Sequence, residues 1–475
     1  MFRGLIINCL RSSTSVFNYS KNSKKMVYSL VPPDCVLGMT VLDREAFTST
    51  IEVPSFNLGT EINHSIMPVI KKYILKLRAY KSVNCIKDDF LIYLDPEKVE
   101  SLDDIDETDR KQIMKYVKKI DKVPITIHYN NWSVEKILRA VLPQDVEIPS
   151  SFTKVGHILH LNLRDNQLPF KNLIGQVYLD CVPHTKTVVN KLNVIDTEFR
   201  NFQMEILAGD DNTVTTVKEN KCQFTFDFAK VYWNSRLSTE HSKLLEFMNK
   251  EDVLYDVFAG VGPFAVPAAK KGVEVLANDL NPESFKWLEF NVKANKAKNI
   301  NCFNKDGRDF LKKDVKTHLL QRRKESKLGN EHIAMNLPAI ANEFLDVFRN
   351  WVNEEEIDLI CKNSPLIHLY CFVKVGKDDD PAPVAQSLVE DSLGIPLTSE
   401  SLKTIHYVRN VAPNKEMMRV SFYLTDEMIK CGEPVRKKSK IENESNPLNN
   451  KCLTDHNGQE QENVKTEKEC VHSTN

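Results

Sequence analysis

The chain has 475 residues and carries 64 basic and 65 acidic side chains, a net charge of −1, so a nucleic-acid partner would have to meet a local basic face and not a global basic field. At about 150 residues per domain this length allows roughly three domains. The 11 cysteines form no C-x-x-C pair, which argues against zinc and against a disulfide framework, and no apolar stretch nears the about 18–20 residues of a membrane span.

Residues 1–25 hold Arg3, Arg11, Lys21, Lys24 and Lys25, and the first acid is Asp34. That is the composition of a mitochondrial transit peptide, weighed against a merely basic disordered start. Met26 follows directly, and a second start there would yield an untargeted form, so the expected locations are the mitochondrial matrix, cytoplasm and nucleus. Residues 26–125 form a smaller N-terminal module in which short apolar runs surround the acidic stretch 97–109. Residues 126–230 form an α+β module, with β-like runs at 125–128, 157–163 and 176–179 and a helix over 134–142. Residues 231–430 carry a doubly wound, Rossmann-like α/β sheet. Residues 431–475 contain no aromatic side chain and read as a disordered tail. Within it Arg436-Lys-Lys-Ser-Lys440 is a solvated charge run or a nuclear address, the former preferred.

Within the sheet region, residues 253–258 are apolar except for Asp256. Gly260 and Gly262 then let the backbone turn tightly and approach a ligand. Pro263 suits the first turn of the following helix, residues 265–269 are small and apolar, and residues 273–277 are the next buried strand. That strand ends on Asp279, an acid that can accept from both hydroxyls of a ribose. Read literally, Gly260-Val-Gly262-Pro-Phe-Ala265 satisfies the dinucleotide fingerprint, with the acid about 20 residues on, so nicotinamide binding stays open on this segment. A third strand at 299–303 runs into Asp306-Gly307-Arg308, where Asp306 can take an adenine amino group and Gly307 leaves room for the ring. The charged segment 312–327 reads as an insertion forming a solvated helix, in preference to an RNA contact. A fourth strand leads into Asn336-Leu-Pro338, and in an open parallel sheet all these strand ends should converge on one crevice. Asn-Pro-Pro-like turns at this place recur in methyltransferases that act on planar nitrogen. The last strands are predicted at 366–373 and 419–423.

With these segments, Gly156-His-Ile-Leu-His-Leu-Asn-Leu-Arg164, Met204-Glu-Ile-Leu-Ala-Gly209, Val231-Tyr-Trp-Asn-Ser-Arg-Leu-Ser-Thr-Glu-His241 and Val408-Arg-Asn-Val-Ala-Pro-Asn-Lys415 make residues 125–425 resemble the eukaryotic and archaeal tRNA (guanine-37 N1)-methyltransferase family. The resemblance implies a class I fold using S-adenosyl-L-methionine, held by His241, Asp256, Phe258, Gly260, Gly262, Pro263, Phe264, Asp279, Leu280, Asn281, Asp306, Gly307, Arg308 and Asn336. It further implies Glu240 as general base, Arg200 as donor to guanine O6, and Asn336 with the Pro338 turn as the clamp on the base. The chemistry asks for such groups, because guanine N1 is protonated at neutral pH and charge grows on O6 once that proton leaves. Read without the family, Glu240 is a helix-cap residue beside Ser238, and Arg200 a surface arginine.

The implied partner is tRNA, gripped at its anticodon stem-loop and outer corner by a monomer, with guanosine 37 extruded from its stack. Lys186, Lys191, Arg236, Arg409 and Lys415 are the candidate phosphate contacts, and Tyr232, Trp233 and Tyr407 the stacking faces. In tRNA-Phe the same methylation would be the first step toward wybutosine. A homologous aminocarboxypropyl transferase or a non-catalytic tRNA-binding protein are the alternatives.

Overall fold

The computed structural model describes residues 30–59, 65–86, 89–117, 119–149, 151–195 and 202–430. The expected transit peptide, the expected tail and Arg200 lie outside the described residues.

The N-terminal sheet is built from β1 (Ser49–Asn57), β2 (Val83–Ile86), β3 (Asp89–Tyr93) and β4 (Lys119–Ile127), antiparallel in the order β2-β3-β1-β4. The second sheet contains β5 (Thr153–Val155), β6 (Ile158–Leu161), β7 (Thr187–Ile195) and β8 (Phe202–Gly209), in sequence order. One core joins the two. Phe47 and Trp132 pack with Leu161, Ile174 and Val188, and the Trp132 indole donates to the Phe47 carbonyl at 3.3 Å. β4 itself runs through the border expected at residue 125. The β-like run at 176–179 is instead part of the helix Lys171–Cys181. Its buried residues Leu173, Ile174, Val177, Tyr178 and Cys181 recur at helical spacing, which a four-residue window conceals.

A hairpin of β9 (Val214–Glu219) and β10 (Cys222–Asp227) leads to a seven-stranded sheet: β11 (Val253–Asp256), β12 (Glu274–Asn278), β13 (Ile300–Phe303), β14 (Glu331–Met335), β15 (Leu366–Lys374), β16 (Leu402–Ala412) and β17 (Lys415–Tyr423). Its order is β13-β12-β11-β14-β15-β17-β16. The first five strands in that order are parallel, and β17 runs antiparallel to both its neighbours. β11 is buried on both faces, as a central parallel strand must be. Val253 and Tyr255 face one core with Ile333, Leu369 and Phe348, while Leu254 faces the other with Ala334, Tyr370 and Phe264. The β9–β10 hairpin belongs to this second core through Phe224 and Phe226, and the Thr225 amide donates to Asn291 on the helix Pro282–Ala294 at 2.8 Å. The packing thus crosses the border expected at residue 230.

The prediction of two last strands omitted β16, which forms the sheet edge. Its pairing with β17 is irregular between Leu402 and Thr404, Tyr407 and Arg409, and Asn410 and Ala412, and these shifts break the period-two pattern that marks a strand in sequence. Segment 312–327 contains the helix Lys316–Lys324. Far from being solvated, Arg322 is buried and pairs with Glu274 (3.1 Å) and Glu331 (3.2 Å), and Arg323 bonds both oxygens of Glu331 at 2.6 Å. Those two arginines are taken up by the protein, whereas Lys312, Lys313, Lys324 and Lys327 of the same segment are exposed, as the solvated-helix reading expects.

Candidate active site

The ends of β11, β12 and β14 lie level, because Asp256 pairs in register with Ala277 on one side and Ala334 on the other. Gly260 sits beyond the first of them with φ +56°, and a Cβ built there meets nothing within 4 Å. The glycine thus answers to backbone conformation and to open space, where a ligand can lie against the chain. The loop is held from β12: Asp279 Oδ2 accepts the Gly260 amide at 2.8 Å, and Oδ1 accepts the Asn281 amide at 3.0 Å. The Ser284 hydroxyl is a third donor to this carboxylate, which leaves it part of its acceptor capacity for a hydroxyl. Burial raises the Asp279 pKa to about 6 against the pull of these donors.

Asp256 is fully buried, and neither of its oxygens makes a well-formed hydrogen bond among the described residues, the Phe258 amide acting on it only weakly. Burial first, and the nearby Asp279 second, push its pKa up to about 8. A buried carboxyl with so little donor support is costly unless protonated or met by a ligand. Asn278, which sequence reasoning missed, ties the strand ends together: its amide donates to the carbonyls of Val257 (3.1 Å) and Lys305 (3.0 Å) and accepts from the Lys305 amide (3.0 Å).

Several predicted ligand contacts also have partners within the chain. The space beside Gly307 is filled by protein rings, since a Cβ there would stand 3.0 Å from Phe258 and 3.1 Å from Phe344. Its small size serves packing against these rings. Asp306 Oδ1 caps the next turn through the Arg308 amide at 2.8 Å. The Arg308 guanidinium lies over Phe344 (4.3 Å), pairs with Asp346 and donates to the Glu343 carbonyl. Asn281 caps the helix Pro282–Ala294 and donates to the Lys230 carbonyl at 2.9 Å. Pro263 precedes its helix, which begins at Ala265. Leu280 is 46% exposed beside Asp279, an apolar surface open to a ligand.

At the fourth strand end, Asn336 Oδ1 is a buried acceptor with no partner among the described residues. The turn is anchored where the Pro338 carbonyl accepts the Phe372 amide at 2.9 Å, tying it to β15.

Glu240 lies in the first turn of the helix Ser238–Glu246, which has Leu237 at its cap and no side-chain cap. The cap reading of Ser238 and Glu240 is therefore not realised. Glu240 is 4% exposed, and its Oε1 accepts from the Tyr370 hydroxyl (2.9 Å) and from Arg419 Nη1 (2.5 Å). His406 Nε2 lies 3.3 Å from Oε2. Tyr370 pairs in register with Arg419, and Arg419 with His406, so one residue from each of β15, β17 and β16 forms a row across the sheet that meets the helix at Glu240. None of the three was picked out from sequence. Arg419 left a signal, a lone charge between Met418 and Val420 in an apolar strand.

His241, the next residue, bonds Glu219 at 2.5 Å through Nδ1 and packs edge-on against Phe264 at 4.7 Å. It braces the glycine loop against β9. Phe264 in turn contacts Tyr370 at 6.0 Å, so the Glu240 cluster and the loop share one wall. Among the predicted RNA contacts, Lys186 and Arg236 are exposed. Lys191 is sunk enough that burial lowers its pKa. Arg409 and Lys415 share the β16–β17 hairpin, Lys415 lying 4.5 Å over Phe372. Tyr232 and Tyr407 are 57% and 48% exposed, whereas Trp233 is buried and stacks on Phe226 at 4.9 Å, out of reach of a base.

Residues 215–374 match the family model described as the TRM5/TYW2 methyltransferase domain, and residues 134–213 the TYW2 N-terminal domain. The chain is 46% identical over 446 residues to a tRNA (guanine(37)-N(1))-methyltransferase of Xenopus tropicalis, covering 91% of this chain and 89% of the relative. It is likewise 46% identical over 426 residues to the enzyme of that name from Aedes aegypti, covering 89% and 75%. The solved complex of aTrm5 and tRNALeu shares its fold, with TM-score 0.54 at 22% identity over 78% of this chain and 100% of that one.

Proposed function

The chain belongs to the tRNA (guanine(37)-N(1))-methyltransferase family, whose members use S-adenosylmethionine to methylate tRNA, and on that premise we propose which of its residues perform the transfer. The cofactor fits the residues present. Gly260 opens onto free space, Asp279 keeps part of its acceptor capacity for a ribose hydroxyl, Leu280 offers an apolar face and the buried Asp256 carboxyl is only weakly served by donors. Bound there, S-adenosylmethionine supplies an electrophilic methyl group whose sulfur departs with the C–S electron pair.

Glu240 takes the N1 proton of guanosine 37. The observation that carries this assignment is a buried carboxylate whose charge is compensated by Arg419, aimed by Tyr370, and placed one residue before the His241 brace of the glycine loop. Asn336, with its unpartnered acceptor, meets a donor on the Watson–Crick edge of the base and fixes its orientation. Arg200 is assigned the developing charge on O6 on the strength of the family match alone. Glu240→Gln is expected to keep cofactor and tRNA affinity and to lose about 10²-fold or more in rate; wild-type turnover would remove the assignment.

The tRNA is bound one-to-one, with residues 26–125 reaching the outer corner, and a minimal anticodon stem-loop should bind more weakly than whole tRNA. The basic, acid-free composition of residues 1–25 supports delivery to mitochondria, with a start at Met26 serving the cytoplasm and nucleus. Residues 1–30 fused to a reporter should carry it to mitochondria. Action on tRNA-Phe as the entry to wybutosine is tested by product analysis on that tRNA.

A further inference from the structure

Each turnover leaves a proton on Glu240, and Glu240 is almost wholly enclosed. Tyr370 and Arg419, which hold its Oε1, are themselves buried. Its Oε2 faces His406, whose side chain is 28% exposed and borders solvent from the edge strand β16.

We propose that His406 is a positioning residue that drains the base: its Nε2 takes the proton from Glu240 Oε2 and hands it to water. This rests on Glu240 as the base. In sequence, the guanine N1–H bond breaks as Glu240 O–H forms, and N1 keeps the electron pair that bonds the methyl carbon. The Glu240 O–H then breaks as His406 Nε2–H forms, and the imidazolium releases a proton to solvent, restoring the carboxylate. No redox partner is needed.

The charged groups facing His406 fit this task. From the Ser238–Glu246 helix come Glu240 and Lys243, whose Nζ lies 3.4 Å from the same Nε2, and from β17 comes Arg419. Burial lowers the His406 pKa, Glu240 raises it, and Arg419 and Lys243 lower it, for a net fall below the ordinary range. The ring is therefore neutral at physiological pH and able to accept, and its imidazolium is short-lived. Neither Arg419 nor Tyr370 can serve instead. An arginine does not deprotonate in this range, and the Tyr370 hydroxyl is a donor whose pKa burial and Glu240 hold well above 10.

The test uses the full chain with S-adenosylmethionine and tRNA. His406→Gln keeps a polar contact to Glu240 but carries no proton, and kcat should fall about 10- to 100-fold with KM for both substrates within about twofold. In His406→Ala, added imidazole should restore kcat in a concentration-dependent way, and substituted imidazoles should rank by basicity. Imidazole should do nothing for Glu240→Gln. Wild-type kcat in both His406 variants would overturn the relay, as would a loss that no imidazole repairs, which is the mark of a packing role. Wild-type turnover in Glu240→Gln would overturn the base assignment instead, so the two failures are distinct.

Discussion

Arg419→Met tests whether the Glu240 cluster is one electrostatic unit. Arg419 is 3% exposed and Glu240 4%, so water cannot take over either charge. Removing the guanidinium leaves a buried carboxylate with two neutral partners, which costs about 3–5 kcal/mol when a buried pair is broken. It also removes the cation over Phe247, 5.0 Å away, for about 1 kcal/mol. Glu240→Gln strands the arginine in turn and should cost about 2–4 kcal/mol. The double variant buries no charge at all, and its loss should fall short of the sum by at least about 2 kcal/mol. Urea unfolding of the cofactor-free chain, followed by tryptophan fluorescence, measures the cycle. Additivity within about 0.5 kcal/mol would refute the coupling and with it the argument that Arg419 compensates the base.

Asp256→Asn addresses the weakly served carboxyl. The folded chain holds the Asp256 proton up to about pH 8, while the unfolded chain releases it near about pH 3.9, so the folded state binds more protons between those values. The contribution of this group to the stability of the ligand-free protein should therefore be fully present below about pH 4 and be lost through about pH 8, by up to about 5 kcal/mol; the difference in stability between the native chain and Asp256→Asn should follow that course, and parallel stability–pH curves would contradict it. Gly307→Ala forces a methyl group against Phe258, Phe344 and Val257, the last at 3.2 Å, and should lower stability by about 1–3 kcal/mol in thermal melts. Gly260→Ala meets no atom, so its cost should come from the positive φ alone, about 1–2 kcal/mol, together with weaker cofactor binding read by calorimetry. Unchanged cofactor affinity would move the ligand away from that loop.

The half of the site made of strand ends was legible because it is local. A buried run, two glycines and an acid within 27 residues predict a strand, a turn and a carboxylate at the next strand end, and Asp256, Gly260 and Asp279 stand together as that spacing implies. What stayed hidden depends on register. Tyr370, Arg419 and His406 meet Glu240 because three strands align at one row, and nothing in the intervening sequence states that alignment. β16 escaped because its register shifts blur alternation. Asp306, Gly307 and Arg308 were read as ligand contacts since a strand end is where ligands gather, yet helix capping and the Phe258–Phe344 contact account for the structural engagements seen there. Trp233 shows the limit of composition, because an aromatic in a polar stretch reads the same whether it faces a base or two phenylalanines.

The row across β15, β17 and β16 also sets an order of assembly. Glu240 precedes Tyr370 by 130 residues and Arg419 by 179. At about 5–20 residues per second on the ribosome, the interval before Arg419 is even synthesised is roughly 10–40 s. A nascent chain can close the glycine loop around β11 and β12 well before then, but its glutamate has no counter-charge until the last hairpin docks. The C-terminal strands thus act as a late latch: they close one core with β11 and β14 through Val420 and Phe422 and, in the same step, bring Glu240 its counter-charge.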